Sequence, residues 1–193
     1  ICFPSRNLRY LTGFTAEPDE RHLFLVVPAT DHPRDDPVLF VPALYGSQVR
    51  SETTVADVRT WTDGDDPATA VRDLLAECGL REGRLLVDDT MWAMFTQDLR
   101  AVAPDATWGL ASEALAPLRA RKDETELAAM RAAAAAADAA VDDLRALGAD
   151  AVGMTEAELA DRIVDRMEAH GGRGTAFEPI VGSGPNGAKP HHG

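Results

Sequence analysis

Residues 123–147 read DETELAAMRAAAAAADAAVDDLRAL, without a glycine or a proline. Alanine gives up less than any other residue on entering a helix, so this stretch dictates one long helix. Asp123 and Glu126 have the spacing of a capping box at its start. Leu127, Met130, Ala134, Ala137, Val141 and Leu144 recur at steps of three and four, which predicts a narrow apolar seam and a neighbour to cover it. Gly148 and Gly153 break the pattern. Thr155 then opens a second helix, TEAELADRIVDRMEAHG, with Glu158 completing a second capping box and Leu159, Ile163, Val164 and Met167 on its buried face. Gly171, Gly172 and Gly174 end it. AFEPIVGSG, 176–184, reads as a strand, with Pro179 at an edge or bulge.

The residues before this helical region follow a different rhythm. HLFLVVPA (22–29) and PVLFVPAL (37–44) read as strands, joined by the turn-forming DHPRDD, and VADVRTW (55–61) as a weaker third. Pro67 suits a first helical turn; Leu74, Leu75 and Cys78 give that helix its stripe and Gly79 its stop. RLLVDD (84–89) reads as a buried strand leading into the helix TMWAMFTQDLRAVAP, ended by Pro104. This alternation implies an α/β fold, a mixed or parallel sheet covered by helices. TWGLASEALAPLRARK (107–122) has mixed character and reads as the passage out of a first domain, with Pro117 interrupting helical continuation. No internal repeat is present.

Asp and Glu number 32 against 19 Lys and Arg, a formal net charge of −13, and the only lysines are Lys122 and Lys189. That balance argues against nucleic acid or an anionic membrane as partner. An acidic surface on which arginine replaces lysine suits a high-salt cytosol, hence a cytoplasmic, halophilic expectation. No apolar run is long enough to cross a bilayer. The start, ICFPSRNLRYLTGF, lacks both an initiator Met and a secretory leader, and reads as the interior of a longer protein. Cys2 and Cys78 have no metal or redox spacing and read as reduced core thiols.

Few motifs carry chemistry. GSGPNGAK fails as a phosphate loop, because Ala188 separates the glycine from the lysine and Pro190 follows. Its glycines read as sharp turns and close backbone approach. No HExxH-like ligand spacing occurs. Asp88 and Asp89 end a strand, where solvated charges or a helix cap compete with a functional acid. Trp92, Phe95 and Trp108 read as packing residues, and His22, His32 and His170 as structural or solvated. His191 and His192 leave two readings open: a histidine facing a cleft, or incidental histidines of a surface loop or tag remnant. On extended backbone the two would point to opposite sides.

Four segments carry a family likeness. RNLRYLTGF (6–14) resembles the N-terminal-domain signature of Xaa-Pro aminopeptidases and prolidases. PLRARKDETELAAMRAA (117–133) is similar to that family's entry into its catalytic domain, GMTEAELADRI (153–163) to the second helix there, and FEPIVGSGPNGAKPHHG (177–193) to the strand and loop before its metal site. The family is the creatinase/prolidase, or pita-bread, group. The resemblance implies a creatinase-like N-terminal mixed-sheet domain over 1–118, its start missing, then the beginning of an α+β pita-bread catalytic domain over 119–193. It implies hydrolysis of an Xaa-Pro peptide bond at two divalent ions (Mn, Co or Zn) in the parent protein, which would be a homodimer. The ions' ligands, two aspartates, a histidine and two glutamates, would lie beyond Gly193, so none is expected in this chain, which alone would be inactive. His191 matches the family's catalytic, substrate-contacting histidine, and His192 a substrate-binding position that varies. Two alternatives share the fold: a metal-free creatinase-type hydrolase of a small guanidino substrate, and a non-catalytic pita-bread binding module.

Overall fold

The computed structural model describes residues 1–29, 31–34 and 36–191. They form two compact units, Ile1–Ala120 and Arg121–Gly193. Among the described residues, no helix is long and apolar enough to cross a membrane.

The first unit is built on β1 (Phe24–Val26), β2 (Val38–Pro42) and β3 (Asp57–Trp61), with β1 antiparallel and β3 parallel to the central β2. Every residue of β1 and β2 is buried, because both faces are covered. The period of two divides them. Phe24, Val26, Val38 and Phe40 join Trp61, Val71, Leu75, Phe95 and Leu99 in one cluster, while Leu25, Leu39 and Val41 join Leu8, Phe14 and Val49 in the other. A second, parallel pair is β4 (Glu82–Val87) and β5 (Asp105–Leu110). Residues 1–2 lie between the two sheets: Cys2 bridges to Leu25 of β1, and the Ile1 carbonyl accepts the Asp88 N–H at 2.9 Å.

The helices of this unit are α1 (Arg6–Thr12), α2 (Gly46–Glu52), α3 (Pro67–Glu77), α4 (Ala93–Val102) and α5 (Ser112–Ala120). Asp66 caps α3 ahead of Pro67, accepting the N–H groups of Ala68 and Thr69, and Gly79 follows with φ 67°. Leu74, Leu75 and Cys78 are buried as their spacing indicates. The short helices α1 and α2 escape a periodicity reading because seven residues make only two turns. The ambiguous stretch 107–122 resolves into β5 and α5. Pro117 does not interrupt α5 but sits inside it. The missing N–H leaves the Glu113 carbonyl without its helical partner, and both residues are exposed, so water can serve that oxygen.

Asp88 and Asp89 differ: Asp89 is an exposed charge held at the start of α5, whereas Asp88 is not solvated. Asp88 is 2% exposed. Its carboxylate accepts Ser5 Oγ at 2.6 Å, Asn7 Nδ2 at 3.1 Å, Thr90 Oγ1 at 2.9 Å and Thr90 N–H at 3.1 Å. Burial opposes its ionisation, yet the hydrogen bonds from Ser5, Thr90 and Asn7 outweigh burial and hold it below the usual carboxylate value. The end of β4 is thereby tied to the start of α1. Asp89 accepts Ser112 N–H and Oγ at the start of α5. His22 is structural: its ring lies among Phe24, Trp61 and Phe95, with Nε2 2.9 Å from Asp98. Cys2 and Cys78 are free and buried, and burial pushes both thiols above the ordinary value, as inert core thiols require.

The second unit is α6 (Glu124–Leu147), a 3-10 turn at Gly148–Ala151, and α7 (Glu156–Ala169). Both capping boxes are formed, Asp123 with Glu126 and Thr155 with Glu158. The expected seam of α6 is displaced: its buried positions are Ala136 and Ala140, while Met130 is 54% and Val141 40% exposed. An alanine tract has nearly the same side chain all round, so packing rather than pattern selects the face. Asp143 holds α7 through His170 Nε2 at 2.9 Å and Arg166 at 3.9 Å. The strand expected over 176–184 does not form. Residues 176–183 are irregular, and 184–188 make a 3-10 turn. No described strand pairs with this segment, and a lone extended segment has no ladder to join.

Two outcomes follow from this packing. Phe95→Ala, at a fully buried ring, is expected to cost about 3–5 kcal/mol, read from urea unfolding. Because the folded-state pKa of Asp88 is depressed, its contribution is present above the unfolded value and lost as pH falls through the folded one. Asp88→Asn should therefore flatten the loss of stability below about pH 4, measured as Tm against pH.

Candidate active-site loop

The candidate site is the loop that ends in His191, and its anchor is the N-terminus of α7. Thr155 accepts the Glu158 N–H, while Glu158 Oε2 accepts the Thr155 N–H at 2.8 Å and Oγ1 at 2.9 Å. This reciprocal cap fixes the first turn and with it Glu156, the first helical residue. A carboxylate there is also favoured by the helix dipole. Glu156 Oε1 accepts the Ser183 N–H at 2.5 Å and Ser183 Oγ at 3.2 Å; its Oε2 accepts Asn186 Nδ2 at 2.9 Å. Hydrogen bonds to an ionised acceptor are stronger than neutral ones. One side chain thus binds both ends of the 183–186 turn.

The turn closes further on itself. Ser183 O accepts the Asn186 N–H at 3.0 Å, Asn186 O accepts the Lys189 N–H at 2.9 Å, and Lys189 Nζ donates to Asn186 Oδ1 at 2.8 Å. Two glycines make the path feasible. A Cβ on Gly182 would lie 3.0 Å from the Asn186 carbonyl oxygen, and Gly184 has φ 49°. The glycines therefore serve turning and close approach.

His191 follows this turn, exposed, with φ 53°. A left-handed conformation is uncommon for any residue but glycine, although histidine is among those enriched there. The extended backbone on which two neighbouring imidazoles would point to opposite sides is absent at His191. His192 lies outside the described residues. Among the described residues, no three or more His, Cys, Asp or Glu stand together to hold a metal ion. Those residues do not fit a metal pair.

Comparison with known proteins now bears on this loop. Residues 1–121 match the model of the creatinase/prolidase N-terminal domain, and residues 128–193 that of metallopeptidase family M24. The chain belongs to the creatinase/prolidase family. It is 36% identical to the probable dipeptidase PepE of Mycobacterium tuberculosis (strain H37Rv) over 100% of this chain and 49% of that protein. It is 29% identical to the Xaa-Pro dipeptidase of Lactobacillus delbrueckii subsp. lactis, over 97% and 50%. The crystal structure of the dipeptidase from Pyrococcus horikoshii OT3 superposes with a TM-score of 0.84 at 34% identity, covering 99% of this chain and 51% of that one. The chain spans about half the length of the curated relatives it matches. Its mixed α/β architecture is a creatinase-like N-terminal domain followed by the start of an M24 pita-bread domain.

In this creatinase/prolidase family member, the residue that sequence reasoning misses is Glu156. It stands one position inside a legible capping box, but an acid at a helix start is common. Its partners, Ser183 and Asn186, lie 27 and 30 positions away. Glu156→Ala is expected to lower protection of the Ser183 amide against hydrogen exchange by about tenfold or more, as loss of a charged acceptor implies. Unchanged protection would place the loop's order elsewhere.

Proposed function

We propose that the whole protein to which this chain belongs hydrolyses peptide bonds, with the Xaa-Pro bond as its target, and that His191 is a catalytic residue of that reaction. The observation that carries the reading is the clamped loop. A turn bound to the capped start of α7 delivers an exposed imidazole on left-handed backbone, inside the segment that matches family M24. Uncommon backbone conformations are costly, by about 1–3 kcal/mol, and persist where surrounding structure enforces them. The names of the relatives support the substrate class, since they include dipeptidases and an Xaa-Pro dipeptidase.

The chemistry asked of His191 is modest. Attack on the scissile carbonyl moves charge onto its oxygen. A ring N–H held near that oxygen donates a hydrogen bond that strengthens as the charge grows. Imidazole suits the task because it keeps a donor in either protonation state. In the same reading His192 contacts substrate beside it, and the divalent ions implied by the family name are held elsewhere in the whole protein. This chain by itself would not turn peptide over.

Whole protein assayed with manganese on an Xaa-Pro dipeptide and a longer Xaa-Pro peptide is expected to cleave at least one of them. His191→Ala should lower kcat by about 10²–10³-fold, the usual cost of one oxyanion donor, with bound metal unchanged by elemental analysis. Folded protein that cleaves neither peptide would overturn the peptidase reading. Loss of metal in His191→Ala would instead make the imidazole a ligand.

A further inference from the structure

Within the first unit, a cleft of about 480 Å³ opens at the carboxyl ends of the parallel strands β4 and β5. Open α/β sheets receive ligands at that edge. Its walls are the start of α1, the turn after β4 and one side of α5.

The polar groups of the cleft divide into those already engaged and those still available. Asp88 accepts from Ser5, Asn7 and Thr90, and Asp89 accepts twice from Ser112. The Asn7 and Leu8 N–H groups donate to Ser5 Oγ. The Thr90 and Ser112 N–H groups are engaged as well, by Asp88 and Asp89. Two guanidinium groups remain. Arg119 donates through Nη1 to Asn7 Oδ1 at 2.6 Å and lies over the Tyr10 ring at 5.5 Å, which holds its plane while leaving other N–H donors open. The Arg6 side chain forms no hydrogen bond or ion pair among the described residues. It also sits at the first position of α1, where the helix dipole disfavours a cation. Asp88 and Asp89 give neither arginine a salt bridge.

This inventory selects a ligand. A planar guanidinium fork matches a carboxylate, in two parallel hydrogen bonds. The nearby carboxylates of Asp88 and Asp89 penalise a dianion more than a monoanion. Leu115 and Ala116 add an apolar wall. We propose that this cleft binds a small monocarboxylate with a short branched apolar body, its carboxylate received by Arg119 and Arg6 and its body lying on Leu115 and Ala116. The site is separate from the peptidase reading and stands whether or not that reading holds.

Calorimetric titration of the 193-residue chain with isovalerate, its neutral amide isovaleramide, and inorganic phosphate tests the proposal. Isovalerate should bind with a Kd on the order of 1 mM, as a ligand of so few atoms allows, and the other two should give no heat of binding. Arg6→Gln, at an exposed side chain, should weaken isovalerate by about tenfold or more. Ala116→Glu, at an exposed helical position that accepts glutamate readily, should abolish binding by placing a like charge in the cleft. Circular dichroism should show both variants folded. No binding of isovalerate, equal binding of the amide, tighter binding of phosphate, or two folded variants that bind as well as the parent would each overturn the proposal.

Discussion

The Glu156 carboxylate is the constraint on which the candidate site depends. It stands where the Thr155–Glu158 cap fixes the first turn of α7, and it grips Ser183 and Asn186 across a long stretch of chain. Lys189 is tied to Asn186 in turn, and His191 follows two residues later. The chain of dependence runs from helix cap to carboxylate, from carboxylate to turn, and from turn to imidazole. The hydrogen bonds along it join groups that water would otherwise serve, so the net gain of each is small. Their combination gives an exposed segment a definite path without a strand to rest against.

The first unit uses acids the same way. In a chain of net charge −13, most carboxylates would be expected only to hold water. Asp88 instead lies buried under four donors and fastens β4 to α1, while Asp89 fastens the same turn to α5. A buried carboxylate with complete hydrogen bonding stays ionised, and removing one of its partners would leave a costly unmet charge. The core clusters fill both faces of the sheet, and these acids set the edges where the strands give way to helices.

Much of this was legible in the residue order, for reasons that differ by element. The two capped helices could be read because Asp123/Glu126 and Thr155/Glu158 are local signals that need no tertiary partner. The strands around Phe24 and Phe40 could be read because burial on both faces leaves unbroken apolar runs. The face of α6 could not, since alanine is indifferent to which side packs. Nor could the fate of Phe177–Ile180, whose strand-like composition has no described strand to pair with, so Phe177 stands 75% exposed. The loop glycines were correctly read as turns, and Pro117 wrongly as a stop. Glu156 and Asp88 stayed hidden for one reason: a fastening carboxylate looks in sequence like any other surface acid until its distant donors are brought to it.

The most direct measurement on the site is a double-mutant cycle on peptide turnover by the whole protein, using Glu156→Ala, His191→Ala and the two together. If the clamp acts through the imidazole, Glu156→Ala alone should lower kcat with KM nearly unchanged, and should add nothing once His191 is already alanine. Additive losses in the double variant would contradict that link and detach Glu156 from the chemistry of His191.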